Sequence, residues 1–297
     1  MSDNGHMIPE VRKDETLLGP ALYVVGTPIG NLEDITLRAL RVLQSVDLIA
    51  CEDTRQTQKL LNHYGIRTKT TSYHEHNEMT RAPELIVEFE QGATIALVTD
   101  AGMPGISDPG FRLITLAIRH HVPVIPIPGA SAFLASLVAS GLPTDSFRFS
   151  AFLPAKAGER RTALEAIRET PRTQIFYEAP HRIVETLEDI VDVLGCERHV
   201  VVAREVTKLH EEFIRGTAEQ VLLELRSRPE VKGEITLLIA KPEPNHHAAA
   251  KPKNLRARLQ EIMTADTVDE KTALKKLAKE MGVSKSEVYR ELQRASK

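Results

Sequence analysis

The chain has 297 residues, room for two or three domains, and its 42% hydrophobic and 27% charged content is that of an ordinary water-soluble globular protein. No apolar run approaches the ~20 residues that span a bilayer, so a helical membrane protein is excluded. The polar opening stretch, residues 1–16, lacks a signal-peptide core, so a cytoplasmic location is expected. The formal net charge of −3 hides an asymmetry: residues 241–297 carry 13 Lys/Arg against 8 Asp/Glu, which leaves 25 against 33 before them. A basic tail on an acidic body points to an anionic partner for the tail. Cys51 and Cys196 are the only cysteines, and both read as reduced packing residues rather than a disulfide or metal ligands.

Residues 1–19 are expected to be disordered. Residues 21–25 then form an apolar strand that ends in Gly26-Thr27-Pro28-Ile29-Gly30-Asn31. A helix over 36–44 follows, with Leu37, Leu40 and Leu43 on one face. A second strand, 48–51, ends in Glu52-Asp53-Thr54-Arg55, and its helix runs to His63 with Gly65 closing it. A weak strand at 69–73 and a helix over 77–91 lead to the strand 95–98. After it comes Thr99-Asp100-Ala101-Gly102-Met103-Pro104-Gly105-Ile106-Ser107-Asp108-Pro109-Gly110, then a helix to His120. The strand 123–126 ends in Pro128-Gly129-Ala130-Ser131 and feeds a helix over 132–140. This strict alternation predicts a parallel doubly wound sheet over 20–141.

The pattern changes at Gly141-Leu142-Pro143. Strands at 147–152, 174–177, 200–205, 210–215 and 234–240 alternate with helices at 159–169, 182–194 and 217–226. The strands at 200–205 and 210–215 are too close for a crossover, so they form a hairpin, and the second domain, 142–241, carries a mixed sheet. A Pro, His and Ala linker leads to an all-helical domain, 254–297. Its helices fall at 255–263, 271–281 and 287–293, with a Gly282-Val283-Ser284 turn in which Ser284 is a good N-cap. That is a helix-turn-helix pattern, which many small helical hairpins share without touching nucleic acid.

Four loops, 26–31, 52–55, 99–110 and 128–131, sit at the carboxyl ends of first-domain strands. Parallel strands put those ends on one edge, the ligand edge of open α/β sheets. The loop 99–110 is far longer than the about two to six residues a turn needs, and its three glycines let backbone approach a ligand. Asp100 and Asp108 supply acceptors. No Walker motif is present, the 26–31 loop lacks the third glycine of the dinucleotide fingerprint, and Pro28 removes a donor. A cofactor without phosphate fits better. His74-Glu75-His76 is the densest metal-like cluster, but a solvated loop is the favoured reading, and no metal is expected. Ser107 and Ser131 lack a nucleophile-elbow motif. Asp53 suits a helix cap as well as a site.

Thr27-Pro-Ile-Gly-Asn-Leu-Glu-Asp-Ile-Thr, Glu52-Asp-Thr-Arg, Asp100-Ala-Gly-x-Pro-x-Ile-x-Asp-Pro-Gly, Pro128-Gly-Ala-Ser, Phe176-Tyr-Glu-x-x-His-Arg and Arg204-Glu-Val-Thr-Lys occur in one order. Together they resemble the tetrapyrrole methylase superfamily, and within it the methyltransferases of small-subunit ribosomal RNA. The resemblance runs from about residue 22 to 240, and the helical tail resembles theirs too. It implies a two-domain α/β fold, a homodimer, and S-adenosylmethionine in the cleft between domains. It also implies methyl transfer to the 2′-hydroxyl of a cytidine in the decoding region of 16S rRNA, within the small ribosomal subunit. By position, the cofactor contacts fall on Pro28, Thr99, Asp100, Met103, Ser131 and Ala132, with Glu178 and Val206 less secure. Glu178 departs from the apolar residue common in porphyrin-modifying relatives. Asp53, Arg55 and Lys208, with Glu178 as a fourth, are expected near the ribose, where a base or a cation must help remove a proton. Two alternatives remain: a methylase of a porphyrin or corrin precursor, and a ligand-sensing regulator that binds nucleic acid.

Overall fold

The computed structural model describes residues 19–242, 255–266, 269–280, 288 and 292. The stretch expected to be disordered lies outside the described residues, Gly19 excepted. The first half builds β1 (Ala21–Val25), α1 (Leu37–Ser45), β2 (Leu48–Cys51), α2 (Thr54–His63), β3 (Lys69–Ser72), α3 (Glu78–Glu90), β4 (Thr94–Val98), α4 (Phe111–Arg119), β5 (Val124–Ile127) and α5 (Ala132–Ser140). The strands pair in the order β3-β2-β4-β1-β5, every pair parallel. The two central strands β1 and β4 are buried at every residue, as a sheet covered on both faces requires.

Right-handed crossovers then sort the helices. The chain moves toward the β3 edge through α1 and α2, so both lie on one face. It returns through α3 and α4, which take the other. The core clusters agree: Leu40, Leu43, Leu60 and Leu61 pack with Tyr23 and Ile49, while Leu85, Phe89 and Leu113 pack with Leu22 and Leu97. Side-chain caps set the helix starts. Thr36 accepts from the Ala39 amide, and the Asp53 carboxylate from the Arg55 amide.

The second half adds β6 (Phe147–Phe152), α6 (Ala157–Ile167), β7 (Thr173–Glu178), α7 (Ile183–Leu194), β8 (His199–Arg204), β9 (Glu212–Thr217), α8 (Ala218–Arg226) and β10 (Ile235–Ile239). The sheet order is β6-β7-β10-β8-β9, with β6 parallel to β7 and all other pairs antiparallel. The expected β8–β9 hairpin is present. Thr217 and Gln220 form a reciprocal capping box at the start of α8.

Helix α5 departs from its expected place. The sequence assigns it to the first domain, yet Leu137 packs against Ile175, Val201 and Leu238 of the second sheet. The other face of that sheet is covered by α6, α7 and α8 through Leu164, Leu187 and Val221. An Ala/Leu/Val helix apolar on all sides can bury itself against either half, so periodicity does not fix its side. Both sheets fall within one compact unit, Met1–Ala240. Cys196 also differs: Cys51 is buried as expected, but Cys196 lies exposed in the turn after α7, where Gly195 ends the helix.

The second unit, Lys241–Lys297, is described by α9 (Leu255–Asp266) and α10 (Glu270–Glu280). Leu274, Leu277 and Ala278 share a core with Leu259, Ile262, Val288 and Leu292. The Gly282–Ser284 turn lies outside the described residues, as does the third helix apart from Val288 and Leu292. Among the described residues no helix is long and apolar enough to cross a membrane.

Candidate active site

The loops after β1, β4 and β5 are laced into one surface at the carboxyl edge of the first sheet. Thr27 and Gly102 exchange backbone hydrogen bonds, 2.9 Å from the Thr27 amide and 3.1 Å from the Gly102 amide. The Thr27 hydroxyl donates to the Thr99 carbonyl at 3.1 Å. Gly26 and Gly129 meet backbone to backbone. A Cβ on Gly26 would stand 2.6 Å from Met103 Sδ and 2.7 Å from Gly129 Cα, and one on Gly129 would stand 2.8 Å from Gly26 backbone. Only glycine permits that approach, and it ties the loops after β1 and β5 together.

The cleft is a cavity of about 400 Å³ closed by the second domain. That is the size of a small-molecule site. From the first domain come Ile29, Met103, Ile106, Asp108, Ser131 and Ala132. From the second come Tyr177, the Glu178 to Pro180 segment, Ala203, Val206 and the start of β10. Among the described residues, no lysine or arginine lines it, and its charged side chains are Asp108, Glu178 and Glu234. A polyphosphate would find no counter-charge here. An apolar body carrying a positive centre would.

Asp108 carries the most informative electrostatics. Burial comes first and the nearby Glu52 carboxylate second, and together they push its pKa up to about 6, with the neighbouring Thr99 hydroxyl pulling the other way. Tyr177 is pushed up to about 12 by burial, with the Asp108 charge adding to it. Its ring is wedged by Phe149 and Phe152, at 5.0 and 5.8 Å between centroids. Asp100 is also raised, by burial first, and its Oδ1 accepts from the Asp53 amide at 3.2 Å.

Of the residues expected to hold the cofactor, Met103, Ser131, Ala132, Glu178 and Val206 line the cavity, whereas Pro28, Thr99 and Asp100 do not, and Asp100 is exposed. Thr99 is buried and donates to Glu52 Oε2 at 2.8 Å. The residues expected near the ribose are more scattered. The Asp53 carboxylate is occupied by its helix cap, and Arg55 is exposed on the first turn of α2. Lys208 reaches Glu205 Oε1 at 2.9 Å and Glu234 Oε2 at 3.1 Å, with its stem against Gly30 across the cleft. Its turn is strained: Glu205 and Thr207 both take positive φ, +52° and +70°.

Glu178 does not have the free oxygen a base requires. Its side chain is fully buried; Oε1 accepts from the Ala179 amide at 2.8 Å and from Arg182 at 2.6 and 3.0 Å, and Oε2 from the Thr186 hydroxyl at 2.8 Å. The carboxylate pins the cavity wall to α7. Sequence reasoning missed Tyr177 and Glu234 as wall residues and treated Asp108 only as a loop acceptor. The signal for Asp108 was present in its place at the end of a long loop on the ligand edge.

An α/β chain with a phosphate-free cleft at parallel strand tips, closed by a mixed second sheet, has the architecture of one class of methyl-transfer fold. Residues 21–222 match the profile of the Tetrapyrrole (Corrin/Porphyrin) Methylases, and the chain belongs to that family. Within it, the chain is 48% identical over 274 residues to the ribosomal RNA small subunit methyltransferase I of Halalkalibacterium halodurans, covering 90% of this chain and 93% of the relative. It is 46% identical over 275 residues to the protein of the same name from Mesorhizobium japonicum, covering 93% and 92%. Among solved structures, diphthine synthase superposes with a TM-score of 0.58 at 16% identity, over 74% of this chain and 90% of that one. Uroporphyrin-III-C-methyltransferase from Thermus thermophilus gives 0.53 at 20%, over 75% and 94%, and these two likenesses speak for the fold.

Proposed function

We propose that this chain is an S-adenosylmethionine-dependent methyltransferase of small-subunit ribosomal RNA, acting on the 2′-hydroxyl of a cytidine in the decoding region, as a cytoplasmic homodimer. The observation that carries the cofactor is the cleft itself. Its apolar wall suits an adenosine and a methionine chain, the absence of lining cations among the described residues suits a ligand without phosphate, and Asp108 and Glu234 suit a positive sulfur or ammonium. The names of the relatives, at 46–48% identity over nine-tenths of both chains, support the RNA substrate.

The cofactor supplies a methyl group activated on a positively charged sulfur. The protein's task is to hold it dry, to align the hydroxyl, and to remove that hydroxyl's proton. Asp108 is the group for the last step. It lines the cavity and also a neighbouring open groove between α3 and α4, so it stands where an incoming substrate would meet the bound donor. A carboxylate ionised at neutral pH yet raised toward it is suited to accept a proton there. Lys208, Arg55 and Asp53 stay in the proposal as groups at the rim, where a cation steadies the developing oxyanion or a nearby phosphate. Glu178 acts as a positioning residue.

Labelled S-adenosylmethionine offered with assembled small subunits, naked small-subunit RNA, DNA, or a tetrapyrrole tests the reading. Label on RNA at a cytidine ribose is the expected result. Label on the tetrapyrrole alone would replace this reading with a porphyrin-type methylase. No transfer to any acceptor would favour a ligand-sensing regulator.

A further inference from the structure

The first sheet domain carries a group of cations of which the catalytic reading uses only Arg55. Arg38 and Arg41 lie three apart on α1, and Arg55 and Lys59 four apart on α2, so each pair shares one helix face. Both faces are exposed, while the opposite sides of the same helices bury Leu40, Leu43, Leu60 and Leu61 in one cluster on the sheet. Because both helices bury their inner sides in that one cluster, the two pairs form rows on the same side of the sheet. Arg67 and Lys69, exposed beyond α2, extend the set toward the β3 edge.

Two independent observations separate these cations from an ordinary solvated surface. The first is pairing. Among the described residues of this domain, the arginines with carboxylate partners are Arg81 and Arg112, both on the α3 and α4 side. In the second domain Arg160, Arg182, Arg204 and Arg228 are all engaged with acids. The second is position along the helix. A helix start carries partial positive charge and favours acids, and α3, α6, α7 and α8 follow that rule with Glu78, Glu159, Glu185 and Glu219. The first turns of α1, α2 and α4 hold no acid and carry Arg38, Arg55 and Arg112 instead, and of these Arg112 alone is paired, with Glu78. Cations placed against the helix dipole, unpaired, on a net acidic body, serve something other than folding. The acids nearby are few: Glu33 and Asp34 occupy the 3-10 turn before α1, and Asp53 is spent as a cap.

We propose that the outer face of α1 and α2 is a docking surface for the phosphate backbone of helical RNA, which holds the substrate while its target nucleotide enters the cleft. The proposal rests on the RNA reading of the same cleft. The two rows begin at the carboxyl edge, where Arg38 and Arg55 start their helices beside the cofactor loops, and run away from it. Contact with paired rather than single-stranded RNA follows from what the face lacks. Single strands are gripped by stacking bases on exposed aromatics, and here the rings are His63 and Tyr64, set edge to face at 4.7 Å, with the Tyr64 hydroxyl tied to the Leu32 carbonyl at 2.7 Å. The exposed phenylalanines, Phe111, Phe147 and Phe152, belong to other faces. Phosphates fit a surface of unpaired guanidinium groups, and paired RNA offers little else to a protein from outside its grooves.

The test is a salt titration of binding to assembled small subunits and to naked small-subunit RNA, with wild type and the triple variant Arg38→Ala, Arg41→Ala, Lys59→Ala. These residues lie outside the cleft, and the full chain is used. Three lost phosphate contacts should flatten the slope of log affinity against log salt by about 2–3 and weaken binding about tenfold or more at moderate salt. Calorimetric affinity for S-adenosylmethionine and the melting temperature should not change. Neutralising Lys156 and Lys232, which are exposed but paired with acids, should leave the slope alone. An unchanged slope in the triple variant overturns the docking surface. Failure of wild type to label RNA would instead overturn the RNA reading, whatever the slope.

Discussion

Replacing Asp108 by Asn should make the protein more stable and a worse enzyme. In the folded chain the carboxyl titrates at about 6, against 3.8 for an unperturbed aspartate. The folded state therefore binds the proton more tightly than the unfolded state. Stability is full below the unfolded value and is lost as pH rises through about 6, above which the ionised group is a standing cost. A shift of about two units corresponds to about 3 kcal/mol at most, and solvent reaching this half-buried side chain reduces it to about 1–2. The amide removes that charge at nearly constant volume, so melting above pH 7 should rise by about 2–6 °C, and the difference should vanish near pH 4. Methyl transfer should move the other way. Wild-type kcat/KM should climb through pH 6 to a plateau, and the variant should lose that limb along with about 10²- to 10⁴-fold in kcat, while donor affinity stays within a few-fold. Scanning calorimetry from pH 4 to 8 and a pH–rate profile with labelled donor measure both effects. A variant that melts lower above pH 7 refutes the burial argument. A wild-type rate with an unchanged pH profile refutes the proton-accepting role.

Gly129→Ala should abolish measurable donor binding in calorimetry and cost about 1–3 kcal/mol of stability, because its Cβ would stand 2.8 Å from Gly26 backbone with nothing flexible to yield. Glu178→Ala should destabilise the chain by about 3 kcal/mol or more, since it strands the part-buried Arg182 guanidinium; denaturant melts read this, and Glu178→Gln should recover part of it. If Glu178→Gln instead folds like wild type but loses transfer alone, Glu178 is a catalytic residue after all. Arg55→Ala and Lys208→Ala should each lower methylation of small subunits at least tenfold with donor binding retained, and wild-type rates in both would remove them from the site.

Much of the architecture was legible because it rests on local chemistry. Apolar runs of four or five residues ending in Gly, Pro and Asp marked the parallel strands, and the short spacing between β8 and β9 required a hairpin. Asp53 announced its helix as a cap. What depends on distant partners was less legible. Asp108 owes its raised pKa first to burial in the folded cleft and then to Glu52, on a loop more than fifty residues earlier. Glu178 looked like a candidate base because it ends a strand beside the cleft, and only the folded chain shows Arg182 and Thr186 consuming its oxygens. Lys208 is drawn to Glu234 by the pairing of β8 with β10, a contact between segments far apart in the chain. Helix α5 carried no polar face to say which sheet it would cover.

The most direct test of the central claim is a crystal of the intact chain soaked with S-adenosylmethionine. The account predicts donor density in the cleft between the two sheets, against Met103, Ser131 and Val206, with Asp108 at its open side. Donor bound anywhere else, or a cleft that stays empty at saturating donor, would contradict it.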